Sequence, residues 1–210
     1  MRTIIFDFDG TIGDSLKVII GVGNQLTHKN ISTNPAELEN LRGLGLVAVA
    51  KELGIRKHQW PFLMFRGRRL MSKHLNEIKP FSGIEDVIKK FDGYDYNIYI
   101  MSSNSKQNIQ TFLSHNGLSG YFDEIYGGVG LFGKAKSLKK IIKSNKLDLN
   151  EVVYIGDEPR DIEAAKAVGI PCIAVGWGFN TPDILAEHAP MIVVRTREQL
   201  SKTLDGWSSW

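Results

Sequence analysis

A single cysteine in 210 residues leaves no partner for an intrachain disulfide. Cys172 stands within Ile170-Pro171-Cys172-Ile173-Ala174-Val175 and reads as a small buried apolar residue rather than a nucleophile. A reducing compartment follows as the expectation. The chain is read as cytoplasmic, because it runs straight into an acid-bearing strand without an apolar signal core. No apolar run approaches the ~20 residues of a membrane-spanning helix, so no membrane partner is expected. Charge of one sign is also scarce: 26 basic and 23 acidic residues leave a formal net charge of +3. The basic residues are dispersed, with local density at Arg66-Gly67-Arg68-Arg69 and from Lys134 to Lys146. No concentrated basic face for nucleic acid is therefore expected, and a small anionic substrate fits the charge equally well. Arg66, Arg68 and Arg69 read as a solvated helix face. Repeats and low-complexity segments are absent, and 42% hydrophobic residues suffice to bury a full core.

What the chain does have is Ile4-Ile5-Phe6-Asp7-Phe8-Asp9-Gly10-Thr11 at its start. The run from Thr3 to Phe8 predicts a buried strand whose C-terminal end carries polar groups, where open α/β sheets put their ligand sites. Acids at i and i+2 leave a strand on one side, so Asp7 and Asp9 are placed to share a metal ion or to divide nucleophilic and proton-transfer roles. Gly10 permits a sharp turn just beyond them. The same four residues also read as a strand entering a solvated turn. An EF-hand loop fits poorly, since Thr11 and Ile12 stand where a third ligand and a glycine belong.

Further strand-like runs at Asn97 to Met101, Glu124 to Tyr126, Val152 to Ile155, Cys172 to Val175 and Met191 to Val194 alternate with helical patterns at Ile84 to Phe91, Ser105 to Asn116, Leu138 to Ser144 and Asp161 to Val168. That alternation predicts an α/β fold built on a parallel sheet with covering helices. Between the first two strands, roughly Ser15 to Lys79 holds helical stretches only, including Leu46 to Leu53 and Trp60 to Leu75. This is too long for a crossover and is read as an inserted helical subdomain, placed to act as a lid over the Asp7/Asp9 end. The expected division is residues 1–14 and 81–210 for the α/β core and 15–80 for the α-helical cap.

The other strand ends carry polar groups too. Ser102-Ser103-Asn104-Ser105 suits both a helix N-cap and a phosphate. Gly128, Gly130 and Gly133 spell a dinucleotide fingerprint, and with Lys134 a near P-loop, but Ala135 stands where a P-loop needs Ser or Thr, and no acid ends the next strand at the required spacing. Lys134 remains as a cation at the sheet mouth. The fourth strand supplies Asp157 and Asp161, each also suited to a helix N-terminus. Four converging carboxylates repel strongly without counter-ions, which calls for a divalent cation plus a lysine, and oxygen ligands favour Mg2+.

Taken in order, Asp7-Phe8-Asp9-Gly10-Thr11, Ser103-Asn104, Lys134 and Gly156-Asp157-x-x-x-Asp161 resemble the four motifs of the haloacid dehalogenase-like hydrolase superfamily, and the helical insertion resembles the small cap of its phosphoglycolate phosphatase-like branch. The resemblance implies a three-layer Rossmann-like core and a phosphomonoester hydrolase working through an aspartyl-phosphate. In that scheme Asp7 attacks phosphorus and Asp9 is the general acid and then base. Ser103, Lys134 and the backbone near Gly10 hold the phosphoryl group, with Thr11 and Asn104 beside them. Mg2+ is held by Asp7, Asp9 through its carbonyl, Asp157 and Asp161. Ser102 and Lys136 are the alternatives to Ser103 and Lys134. Leu41-Arg42-Gly43 resembles a cap loop that approaches substrate, which makes Arg42 a candidate contact for the leaving group. The substrate expected is a small phosphorylated metabolite. The rival readings are a phosphoglucomutase-like phosphoryl transferase and a non-catalytic nucleotide-binding module.

Overall fold

The computed structural model describes residues 1–210 except 43, 45–48, 52–53, 95, 131–132 and 208–210. In chain order, β1 (Thr3–Phe6) and the two-residue β2 (Gly13–Asp14) precede, among the described residues, the helices α1 (Leu16–Thr27), α2 (Pro35–Arg42) and α3 (Trp60–Met71). The short β3 (Lys79–Pro80) closes this segment. There follow α4 (Ile84–Asp92), β4 (Asn97–Met101), α5 (Lys106–His115), β5 (Glu124–Tyr126), α6 (Lys134–Ser144), β6 (Val152–Gly156), α7 (Pro159–Val168), β7 (Cys172–Val175), α8 (Pro182–Glu187), β8 (Ile192–Val194) and α9 (Arg197–Gly206).

Strands pair in parallel in the order β5-β4-β1-β6-β7-β8. Alternate residues feed opposite faces of this sheet. Ile4, Phe6, Ile98, Ile100, Val153, Ile155, Ile173 and Val175 enter one apolar cluster, with Val87 and Ile88 of α4, Phe112 of α5 and Leu200 and Leu204 of α9. Ile5, Tyr99, Met101, Tyr154, Cys172 and Ala174 enter the other, with Leu138 of α6, Ile162 of α7 and Leu185 of α8. Two-sided burial is what near-continuous apolar strands require, and it gives the three layers. The order reverses beside β1, so the crevice at the carboxyl ends of β1, β4 and β6 is the place for a ligand.

Helix boundaries follow from local chemistry. α4 buries Ile84, Val87, Ile88 and Phe91 at helical spacing, with Glu85 and Asp86 in its first turn and Lys89 and Lys90 in its last, matching the helix dipole. α7 begins two residues before the expected Asp161, because Pro159 occupies its first turn and Glu158 caps it in a reciprocal capping box with Asp161. α6 begins at Lys134, four residues before the expected Leu138. β1 ends at Phe6 rather than Phe8, although the Asp7 amide still donates to the Ile155 carbonyl at 2.8 Å before the chain turns.

The helical insertion leaves through β2 and returns through β3, which pair antiparallel, Gly13 with Pro80 and Asp14 with Lys79. Both ends are thereby held together beside the crevice. Of the helix expected over Leu46 to Leu53, residues 46–48 and 52–53 lie outside the described residues, as does Gly43. The helix expected over Trp60 to Leu75 ends at Met71, and a 3-10 turn follows at Leu75–Glu77. No described helix is long and apolar enough to cross a membrane.

Candidate active site

Three strand ends and one helix start bring the polar residues together. Lys134, the first residue of α6, is buried with 3% of its surface exposed. Its ammonium donates to Asp7 Oδ2 at 2.6 Å and also to Asp161 Oδ1. Burial alone would lower the lysine pKa, but the charges of Asp161 and Asp7 outweigh it and hold the group cationic. Lys136 is exposed, so Lys134 is the lysine that meets the acids.

Asp9 is likewise buried. Its carboxylate accepts from the Asn104 side-chain amide at 3.1 and 3.4 Å. Asn104 is oriented for this by its own carbonyl oxygen, which accepts from the Ser105 amide and from Asn108 Nδ2, each at 2.9 Å. Burial, assisted by the neighbouring Asp7 charge, raises the Asp9 pKa from 3.8 to about 6. Of the two serines, Ser102 is fully buried and its Oγ accepts from the Asn104 amide, while Ser103 lines the cavity that opens on Asp9.

Three buried carboxylates, Asp7, Glu158 and Asp161, offer oxygens within 4.8 Å of one another. Glu158 was not among the residues the sequence reading assigned to the site. Asp157 was, yet its carboxylate accepts from Thr11 Oγ1 at 2.8 Å and from the Phe179 amide at 2.7 Å, outside that group of three. Burial first, and the charges of Glu158, Asp7 and Asp161 after it, push the Asp157 pKa well up.

Gly10 and Thr11 also differ from expectation. The Gly10 amide donates to the Gly13 carbonyl at 2.9 Å and the Thr11 hydroxyl to Asp157, so both groups are engaged by protein partners. Gly10 has φ +80°, and a Cβ there would come 2.1 Å from Asp157 Oδ2. The glycine is what lets the first acidic loop and the fourth pack in contact.

Two arginines part company with the sequence reading. Arg42 donates to the Gly178 carbonyl at 2.6 Å, the Gly176 carbonyl at 2.7 Å and Glu39 at 2.8 Å, so its guanidinium clasps the core loop after β7 and does not line the cavity. Arg68, read as solvent-facing, donates to the Ser103 carbonyl at 2.7 Å and does line the cavity, while Arg66 and Arg69 are exposed. Arg160 is a further cation at the cavity wall, paired with Glu158 through Nε at 2.9 Å. Glu158, Arg68 and Arg160 were missed because burial and pairing, not motif position, mark them. The one sequence signal was Glu158-Pro159 before a helical pattern with Asp161 at the third position, a helix-capping pattern that faces the acid cluster.

The sequence profile of the haloacid dehalogenase-like hydrolases matches residues 4–175. The chain belongs to that family. It is 31% identical over 203 residues to the phosphoglycolate phosphatase of Synechococcus elongatus, covering 95% of each protein. It is 27% identical to a 5'-nucleotidase of Pseudomonas aeruginosa, over 89% of this chain and 88% of that one. Among solved structures, a haloacid dehalogenase-like family hydrolase from Streptococcus pneumoniae superposes with a TM-score of 0.77 at 20% identity, covering 97% of this chain and 98% of the other. Within the family the chain is a phosphatase of the phosphoglycolate phosphatase-like kind, a phosphoric monoester hydrolase.

Proposed function

We propose that the protein is a Mg2+-dependent phosphatase that hydrolyses a small phosphomonoester through an aspartyl-phosphate on Asp7. The observation that carries this reading is the buried Asp7–Lys134–Asp161 cluster, with Asp9 held separately by Asn104 at the floor of a cavity. Two carboxylates two residues apart thus stand in different environments, which is how acid and nucleophile roles are divided. Asp7 attacks phosphorus in line. Asp9, whose pKa of about 6 keeps a protonated fraction near neutrality, gives its proton to the leaving oxygen and later takes one from the attacking water. Lys134 and Ser103 hold phosphoryl oxygens, and Asn104 keeps Asp9 aimed.

The donor set fits a hard divalent cation. Asp7, Glu158 and Asp161 supply only oxygen, are buried, and carry negative charge that Lys134 and Arg160 offset only in part. These three residues would hold Mg2+, with Asp157 behind them, and bound Mg2+ supplies charge neutralisation for the phosphoryl oxygens.

The phosphoglycolate phosphatase and the 5'-nucleotidase to which the chain is similar are both phosphomonoester hydrolases and differ in the alcohol released, so what transfers to this chain is the reaction. The test is phosphate release from phenyl phosphate by the metal-stripped protein. Mg2+ alone should restore turnover, and Ca2+, with looser coordination, should inhibit it. Full turnover without metal, or turnover only in the presence of a sugar bisphosphate activator, contradicts the proposal, the latter in favour of a mutase.

A further inference from the structure

A cavity of about 160 Å³ opens on Asp9 and extends into the helical insertion. Asp9, Ser103, Asn104, Arg68 and Arg160 make its polar end. The rest of the wall is almost wholly aliphatic, supplied by residues such as Leu16, Ile20, Leu41, Val49, Met64 and Met71. Of the two cations at the polar end, Arg160 is paired with Glu158, while Arg68 donates to the Ser103 carbonyl and reaches the Val129 carbonyl at 3.4 Å, neutral partners that hold its guanidinium at that end. A carboxylate carried into the aliphatic part would lose its water and find no counter-charge among the described residues that line that part, whereas an apolar group gains by burial there.

We propose that this cavity is the leaving-group chamber and that the preferred substrate is a phosphomonoester of an apolar alcohol about the size of one six-membered ring. The inference rests on the reading of Asp7 as nucleophile and Asp9 as acid, and it names the substrate class for that site. The size follows from volume, since a cavity of about 150 Å³ lined by Leu, Ile and Phe accepts benzene. Asp9 lies where the chamber meets the polar end, so an alcohol seated in the chamber presents its ester oxygen to the acid.

The experiment compares kcat/KM for n-alkyl phosphates from ethyl to hexyl, benzyl phosphate and 2-phosphoglycolate, all esters of aliphatic alcohols of similar acidity. Each buried methylene should raise kcat/KM roughly fourfold until the chamber is full. Benzyl phosphate should exceed 2-phosphoglycolate by at least about tenfold. A flat series, or 2-phosphoglycolate ahead of the longer esters, overturns the proposal and leaves the phosphatase reading standing. Gly67 lines the same chamber, and a Cβ there meets only Leu26 Cδ1 at 3.9 Å. Gly67→Leu therefore fills space from a helical position where losing glycine favours folding, and it should bring hexyl phosphate down to the level of ethyl phosphate. A hexyl advantage that survives in the variant counts against the chamber. If phenyl phosphate is hydrolysed but none of these esters is, the proposal is overturned; if phenyl phosphate is not hydrolysed either, the reading of Asp7 and Asp9 fails and binding decides the chamber: calorimetry showing hexyl phosphate bound more tightly than ethyl phosphate, with a negative heat-capacity change, supports it, and equal affinities overturn it.

Discussion

Asp9 concentrates the energetics of the site. Its folded pKa of about 6 against an ordinary 3.8 means that the folded chain holds more protons than the unfolded chain between about pH 4 and 6. Stability of the metal-free protein must then fall as pH rises through that window, by on the order of 3 kcal/mol from this one group. The raised pKa values of Asp157 and Asp161, both caused first by burial, act in the same direction. Mg2+ held by the folded state alone, as proposed, should reverse the loss. Melting temperatures in chelator should therefore be lower at pH 7.5 than at pH 5, with Mg2+ closing the gap. A melting temperature that rises with pH in chelator contradicts this account. At this scale the sequence was informative where a residue follows a strand end, as Asp7, Asp9 and Asn104 do, or starts a helix at the sheet mouth, as Lys134 does. It did not assign Glu158 to the site and read Arg68 as solvent-facing, because their positions come from being folded against other elements: Glu158 against Asp7, and Arg68 against a carbonyl 35 residues away.

The strands of the sheet and the helices between β3 and β7 were legible because their signals are local, whereas the helices at Pro182–Glu187 and Arg197–Gly206 were not read. Period-two alternation along β1, β4, β6 and β7 sorts residues onto two apolar clusters, and bounds read from composition fell within a few residues. The shortfalls have local causes as well, as at the start of α7, where capping by Glu158 and Pro159 precedes the apolar pattern. The relation between the insertion and the core was not legible, since it depends on side chains meeting distant backbone. Arg42 from α2 holds the loop of Gly176 and Gly178, and Arg68 from α3 holds the loop of Ser103. Charged donors on carbonyls are worth about 1.5–3 kcal/mol each, enough to bias a hinged segment. The β2–β3 pair sets where such a hinge lies. The double variant Arg42→Ala/Arg68→Ala should open the insertion, seen as a larger radius of gyration in solution scattering and a KM raised several-fold. A phosphate analogue should partly restore the compact form. Scattering identical in wild type and variant, with and without the analogue, counts against a lid.

In the whole molecule, a parallel sheet delivers acids from β1 and β6 and an amide from the loop after β4 to one crevice, and the insertion roofs it with aliphatic side chains. The division of labour between Asp7 and Asp9 is the central claim. On the proposed reading Asp7→Asn removes the nucleophile and a metal-facing carboxylate, so it should abolish turnover and leave no phosphoenzyme. Asp9→Asn keeps the nucleophile and loses proton transfer, which should slow turnover about 10²–10⁴-fold. With an aryl ester whose leaving group needs little protonation, Asp9→Asn should still phosphorylate itself and then hydrolyse slowly. The most direct test is the intact mass of the protein after rapid acid quench, followed by peptide mapping. The account predicts one added phosphoryl group, on Asp7, enriched in Asp9→Asn and absent in Asp7→Asn. A phosphoryl group on any other residue, or full activity in a folded Asp7→Asn variant, would contradict it.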